Sequence, residues 1–429
     1  MTGTMARCRS GSMKRLLLLV CLLLPPLPGF ATGETRSIPA GETDFEVEIF
    51  PAKAGPRLLW FPPATGFGEA QRRSAASLAQ RGIEVWLVDL FASYFLPTVA
   101  SSLAKIPAAD VAALIDAAGG NGRRLFLFGG GRGSLPLLRG VHAWQQAHPD
   151  RPPPPALLLS PEFYVETPDP GQPAEILPVV RRTNLPLFIL QPKKSPWYWK
   201  LPQILPVLEA AGSEVFVQVL PGLRDRFHFR PDATQAEQAA AQRLPGWIAR
   251  AMRLLGRLPA RTRPVRALDA APPLPPEGKK ARHLRPWQGD PAPPALALPD
   301  LDGRLHRLAD YRGRVVLVNF WASWCPPCVH EMPSMQRLAD AFAGRPFTIL
   351  AVNMAEDEAT IRRFLREKVK VRFPILLDRD GAALRRWQVF AFPTSYLLDR
   401  QGRIRYALFG AIDWDTPQVK SIVEALLAE

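Results

Sequence analysis

The 429-residue chain reads as two α/β domains joined by a proline-rich segment, and three observations carry that reading. Between Gly33 and Leu255, short apolar runs alternate with helical stretches. From Arg257 to Pro286, prolines and charges interrupt every periodicity. Beyond Gly289 a second set of apolar runs and helical stretches begins and continues to the end. Alternation of this kind predicts a mostly parallel sheet covered by helices on both faces. The expected units are residues 33–255, a basic linker over 256–288, and residues 289–429.

In the first unit the expected strands are Arg57 to Pro62, Glu84 to Leu90, Arg124 to Phe128, Ala156 to Ser160, Leu185 to Gln191 and Glu214 to Leu220. In the second, Ala295 to Leu298 and Gly303 to Leu308 read as a hairpin turning at Asp302-Gly303, because Asp-Gly favours the positive φ of a tight turn. Val315 to Phe320 is a buried strand, and a helix follows from the Cys325-Pro326-Pro327-Cys328 motif to about Phe342.

Residues 1–32 read as a cleaved signal peptide. Arg7, Arg9, Lys14 and Arg15 precede the apolar run Leu16 to Leu24, prolines break it, and Gly29-Phe30-Ala31 offers small residues for cleavage. The run is far shorter than the roughly 20 residues of a spanning helix. Export to a bacterial periplasm is the expectation. Removing that segment removes Cys8 and Cys21, so the mature chain keeps Cys325 and Cys328. Two cysteines spaced C-x-x-C build no disulfide framework and lack a second pair for a zinc site, so the pair reads as reactive. No metal or other cofactor is called for.

The net charge of +15 is spread as single arginines instead of one basic face with interleaved aromatics, which argues against nucleic acid as a partner. Arg257 to Arg285 is locally basic. It reads first as a solvated linker and second as a weak contact to an anionic membrane surface.

The strand-to-helix placement supplies the chemistry. A thiolate at a helix N-terminus faces unpaired N–H groups and the positive end of the dipole, which lowers its pKa. Cys325, first and more exposed, is the expected nucleophile, and Cys328, one turn on, the resolving thiol.

The stretch Tyr311 to Cys328, followed by Glu331-Met332-Pro333, Phe392-Pro393-Thr394 and Leu397 to Gly402, resembles the TlpA-like branch of the thioredoxin superfamily, with its ResA- and CcmG-type proteins. The resemblance covers about 140 residues. It implies a thioredoxin-like fold, a thiol:disulfide oxidoreductase, and a cis Pro393 against the disulfide, with Trp324, Phe392 and Thr394 beside an incoming client. Asn319 stands where general thioredoxins bury an aspartate, so Glu331 is the expected acid/base. Pro333 is expected to kink the helix, Trp321 to pack near the sulfurs, and His330 to lie at the surface. The implied clients are disulfides of extracytoplasmic proteins such as apocytochrome c, and the implied electron donor is a DsbD- or CcdA-type membrane protein.

The N-terminal unit resembles an α/β-hydrolase, from Arg57 to Pro62 onward. Leu125 to Gly133 occupies the place of the nucleophile elbow, yet Gly131 stands at its centre and Ser195 where the acid is expected. His228 is then a histidine without nucleophile or orienter, Ser134 faces along a helix and Ser160 ends a core strand. A binding or positioning role is expected; the competing readings for the whole chain are a serine hydrolase with a redox appendage and a non-enzymatic binding protein.

Overall fold

The structure, a computed structural model, describes residues 33–168, 171–268 and 283–429; the expected signal peptide lies outside the described residues. The N-terminal domain is built on eight strands: β1 (Glu34–Ala40), β2 (Thr43–Phe50), β3 (Arg57–Phe61), β4 (Glu84–Asp89), β5 (Leu125–Gly130), β6 (Ala156–Leu159), β7 (Pro186–Lys194) and β8 (Glu214–Arg224). Their order across the sheet is β1-β2-β4-β3-β5-β6-β7-β8. From β4 to β8 all pairings are parallel, as expected. The β1–β2 hairpin, which periodicity alone had not singled out, adds an antiparallel edge.

Successive side chains of a strand point to opposite faces, and the sheet uses both. Leu59, Leu127, Leu158 and Ile189 pack into one core. Their neighbours Leu58, Phe128, Leu157 and Leu190 pack into another on the far side. Near-continuous apolar strands such as Leu125-Phe126-Leu127-Phe128 are the consequence of burial on two faces.

The C-terminal domain opens with β9 (Arg285–Pro286), whose pairing with the last strand places the start of this sheet inside the stretch that composition assigns to the linker. Leu284 is already buried in the redox core. The hairpin β10 (Ala297–Pro299) and β11 (Leu305–Arg307) is shorter than expected, since Asp300 accepts hydrogen bonds from the N–H groups of Asp302 and Arg304 and widens the turn. Then follow β12 (Val315–Trp321), β13 (Phe347–Met354), β14 (Ile375–Asp378), β15 (Thr394–Leu398) and β16 (Ile404–Phe409). The sheet order is β14-β13-β12-β15-β16-β9, with β12, β13 and β14 parallel and the remainder antiparallel.

Between the domains, residues 257–268 do not float. Arg263 donates to the Gly212 carbonyl (2.6 Å) and pairs with Glu214 (2.9 Å), and Asn184 Nδ2 donates to the Pro264 carbonyl (2.7 Å). This first part of the basic linker is therefore strapped to the N-terminal domain.

The two domains also share packing. Phe390 belongs to the C-terminal chain segment but is 2% exposed inside the N-terminal core. Its ring meets Tyr164 (5.2 Å) and Trp197 (5.7 Å) edge to face, with Lys200 Nζ 5.1 Å from its centroid. Burial lowers the Lys200 pKa to about 8. In return, Trp199 packs against the C-terminal core, where Gly381 leaves the room its ring needs.

Candidate active site around Cys325 and Cys328

Strand β12 is buried along its whole length and delivers Ala322-Ser323-Trp324 to the carboxyl end of a central strand of the sheet. The helix Pro326–Ala341 starts at once, with Cys325 as its N-cap residue. Proline at the first helical positions suits this start, because those N–H groups have no intrahelical acceptor. Cys325 and Cys328 form a disulfide, and the Cys328 N–H points at Cys325 Sγ (3.3 Å). Cys325 is 5% exposed and Cys328 fully buried, the order expected of an attacking and a resolving sulfur. Pro326, Pro327 and His330 are at the surface.

Phe392–Pro393 is a cis peptide, as the motif implied. The register of β15 against β12 sets Thr394 opposite Phe320, so this bond lies beside the strand end from which the Cys325 loop departs. Trp324 meets Phe392 edge to face at 5.6 Å, and both rings are partly exposed. The Thr394 side chain is fully buried, with its hydroxyl donating to the Ala391 carbonyl (2.7 Å), which leaves only its backbone to meet a client. Trp321 is a core residue, 0% exposed and packed on Phe364, because it is the last inward position of β12.

Glu331 is fully buried, three residues past Cys328 and so on a neighbouring part of the same helix face. Its Oε1 accepts from Asn319 Nδ2 (2.8 Å) and its Oε2 from Trp414 Nε1 (3.0 Å). Asn319 Nδ2 also donates to Ser395 Oγ (2.9 Å), while Asn319 Oδ1 has no partner. Burial outweighs these hydrogen bonds and pushes the Glu331 pKa up to about 8. The carboxyl thus holds a proton near neutral pH and can exchange it there.

Two participants escaped sequence reasoning. Trp414 reaches Glu331 across 83 residues of sequence, and Ser334 Oγ accepts from the Trp414 N–H to hold it (3.0 Å). Glu356 accepts from the Ser323 N–H (2.7 Å), the Ser323 hydroxyl (2.6 Å) and Asn353 Nδ2 (2.9 Å), which fixes the turn just before Cys325. A polar residue two before the first cysteine was the local signal for the second contact. Nothing local marked the first.

In the N-terminal domain, Gly131 follows β5 at a φ of +53° and Ser195 follows β7 as the cap of the next helix. Ser134 is buried with its hydroxyl donated to the Gly131 carbonyl (2.8 Å). Ser160 is held differently from the expectation that it merely ends a strand: its hydroxyl donates to Asp225, a residue the sequence had not marked.

Comparison with known proteins agrees with this geometry. Residues 288–407 match the AhpC/TSA family model. The chain is 40% identical over 119 residues to the thiol-disulfide oxidoreductase ResA of Geobacillus thermodenitrificans, covering 28% of this chain and 68% of that protein. It is 37% identical over 114 residues to the thioredoxin-like protein YneN of Bacillus subtilis, covering 26% and 66%. Among solved structures, a thioredoxin-family thiol:disulfide interchange protein from Chlorobium tepidum is 26% identical and covers 33% of this chain and 97% of its own, with a TM-score of 0.29. The chain, through its C-terminal domain, belongs to the AhpC/TSA family and is a ResA-like thiol:disulfide oxidoreductase.

Proposed function

We propose that the protein is exported and works as a dithiol reductant of extracytoplasmic client proteins, with apocytochrome c among the candidate clients. What supports this is the Cys325–Cys328 pair at a helix N-terminus, with the buried carboxyl of Glu331 three residues farther along the helix and its pKa pushed up to about 8 by burial. In the reduced protein the Cys325 thiolate attacks a client disulfide. A Cys325–client sulfur bond forms, the client bond breaks, and the leaving sulfur takes a proton. The ionised form of Glu331, accessible near its pKa of about 8, takes the Cys328 proton; the Cys328 thiolate attacks Cys325 Sγ and closes the disulfide, and the second client sulfur leaves as a thiolate that takes up a proton. Two electrons have moved to the client, and a membrane dithiol donor of the DsbD or CcdA type restores them. Trp324, Phe392 and the backbone around Pro393 form the exposed surface against which the client lies.

The N-terminal domain is an α/β-hydrolase-like frame without its nucleophile, and its role is to position. Phe390, three residues before Pro393, is seated in that domain between Tyr164 and Trp197. The domain thereby anchors the loop that carries the client surface.

Equilibration with glutathione buffers tests the direction of transfer. A reduction potential toward the thioredoxin value of about −270 mV supports a reductant; one near the DsbA value of about −120 mV assigns the protein to disulfide formation instead.

A further inference from the structure

We propose that a cleft of about 300 Å³ at the carboxyl ends of β3, β5 and β6 is a binding site for a small uncharged ligand with an apolar body and one hydrogen-bonding head. It stands apart from the dithiol reading, which concerns the other domain.

Sheet topology opens the cleft. The chain leaves β3 toward β4 on one side and later returns to place β5 on the other, so the segments beyond β3 and β5 diverge. Open α/β sheets bind ligands at such points. Pro63 and Thr65 after β3, and Gly131 and Arg132 after β5, form two of its walls.

Backbone strain converges on the same space. Gly131, Ser160 and Arg226 follow β5, β6 and β8, and all three have positive φ, at +53°, +48° and +59°. For a serine and an arginine this conformation costs on the order of 1–3 kcal/mol each, and such positions cluster at ligand sites. The Ser160 hydroxyl is tied to Asp225, and Gln191 Nε2 reaches toward the same hydroxyl (3.5 Å).

The polar equipment is incomplete without an occupant. His228 lines the cleft, and its Nδ1 is buried with no partner. An orphaned buried group of this kind costs about 1–3 kcal/mol, which a complementary ligand group removes. The lining favours a ligand without net charge: the carboxyls of Glu162 and Asp225 face the guanidinium groups of Arg132 and Arg226, with Arg132 paired to Glu162 at 3.6 Å, and burial lowers the His228 pKa to about 3 so that its imidazole is neutral. Arg132 is already engaged by the Tyr164 and Val165 carbonyls. The rings of Trp60, Trp197 and Phe229 offer the ligand an apolar bed. Gly131 supplies no nucleophile, and the Ser160 proton is directed to a carboxylate, so the site is one for holding a ligand.

The test uses the oxidised full-length protein and the uncharged fluorophore N-phenyl-1-naphthylamine. Saturable enhancement at one probe per chain is expected. Displacement by 2-naphthol should be about tenfold stronger than by naphthalene, the worth of one good buried hydrogen bond, and stronger than by 2-naphthoate. His228→Phe with Asp225→Ala should erase the preference for 2-naphthol over naphthalene. Ala64→Trp and Ala100→Trp fill the cleft from two different loops and should each abolish probe binding while insulin reduction and far-ultraviolet dichroism stay intact. Absence of saturable binding, undiminished binding in both tryptophan variants, or displacement by naphthalene or 2-naphthoate at least as strong as by 2-naphthol would overturn the assignment.

Discussion

The carboxyl ends of β12 and β5 present the same local device in two domains: a buried strand, a tight turn and the N-terminus of a helix. In the redox domain the turn leads into Cys325-Pro326-Pro327-Cys328, with Glu331 one turn farther along the helix. In the N-terminal domain it is Gly129-Gly130-Gly131-Arg132-Gly133, and the helix that follows begins with a buried serine. Both ends concentrate unpaired N–H groups and dipole. Only one supplies an atom able to carry electrons, which shows how little a frame says about chemistry until its side chains are read.

The largest effect should come from removing that atom. Cys325→Ser is expected to abolish insulin-disulfide reduction while leaving thermal unfolding of the N-terminal domain in place, measured by turbidity and calorimetry on one sample. Retained turnover would place the nucleophile elsewhere.

Glu331→Gln sharpens the contrast by keeping the sulfurs and removing the exchangeable proton. A general acid/base contributes typically 10² to 10⁴ in rate, so resolution of the mixed disulfide should slow about 100-fold in rapid-quench experiments. The same variant has a stability signature. Glu331 binds its proton more tightly folded, near pH 8, than unfolded, near pH 4.5. The wild type therefore loses stability as pH rises through that window, since the folded state holds the proton that the unfolded state has lost. The difference in Tm, Glu331→Gln minus wild type, should increase from pH 5 to pH 8; a flat difference would mean the carboxyl is not buried as described.

Much of this contrast was legible in the sequence. The strand Val315 to Phe320, the helix to about Phe342 and the Cys-Pro-Pro-Cys junction are local patterns, and the chain folds them where periodicity puts them. Contacts between distant segments were not legible. Trp414 on Glu331, Asp225 on Ser160 and Phe390 in the N-terminal core join residues that share no spacing, turn or period. Strand β9 hid for a different reason: proline and arginine content makes Arg285-Pro286 look like linker, and only an edge position tolerates it.

Phe390→Ala probes the link between the two regions. Truncating a buried phenylalanine costs about 3–5 kcal/mol, which should appear in denaturant unfolding and as faster proteolysis between the domains. Insulin reduction should fall less than tenfold, because no sulfur ligand or proton carrier is removed. Unchanged stability would mean that the aromatic seat does not join the domains.

The smallest effect is expected at Gly131. Serine there places a hydroxyl after β5 without building a working site, since its Cβ would sit 3.4 Å from Glu162 Oε1 at a φ of +53°. Gly131→Ser should leave disulfide reduction unchanged, turn over no nitrophenyl ester and take up no fluorophosphonate label. Stoichiometric labelling would show that the N-terminal frame lacks only its nucleophile.

The most direct measurement is a pair of trapping experiments with the two single cysteines, expressed with a functional export signal and analysed on non-reducing gels. If Cys325 attacks and Cys328 resolves, Cys328→Ser stalls at the mixed disulfide and accumulates covalent client complexes that dithiothreitol releases, whereas Cys325→Ser accumulates few or none. Equal trapping by the two variants, or trapping by Cys325→Ser alone, would contradict the assigned roles.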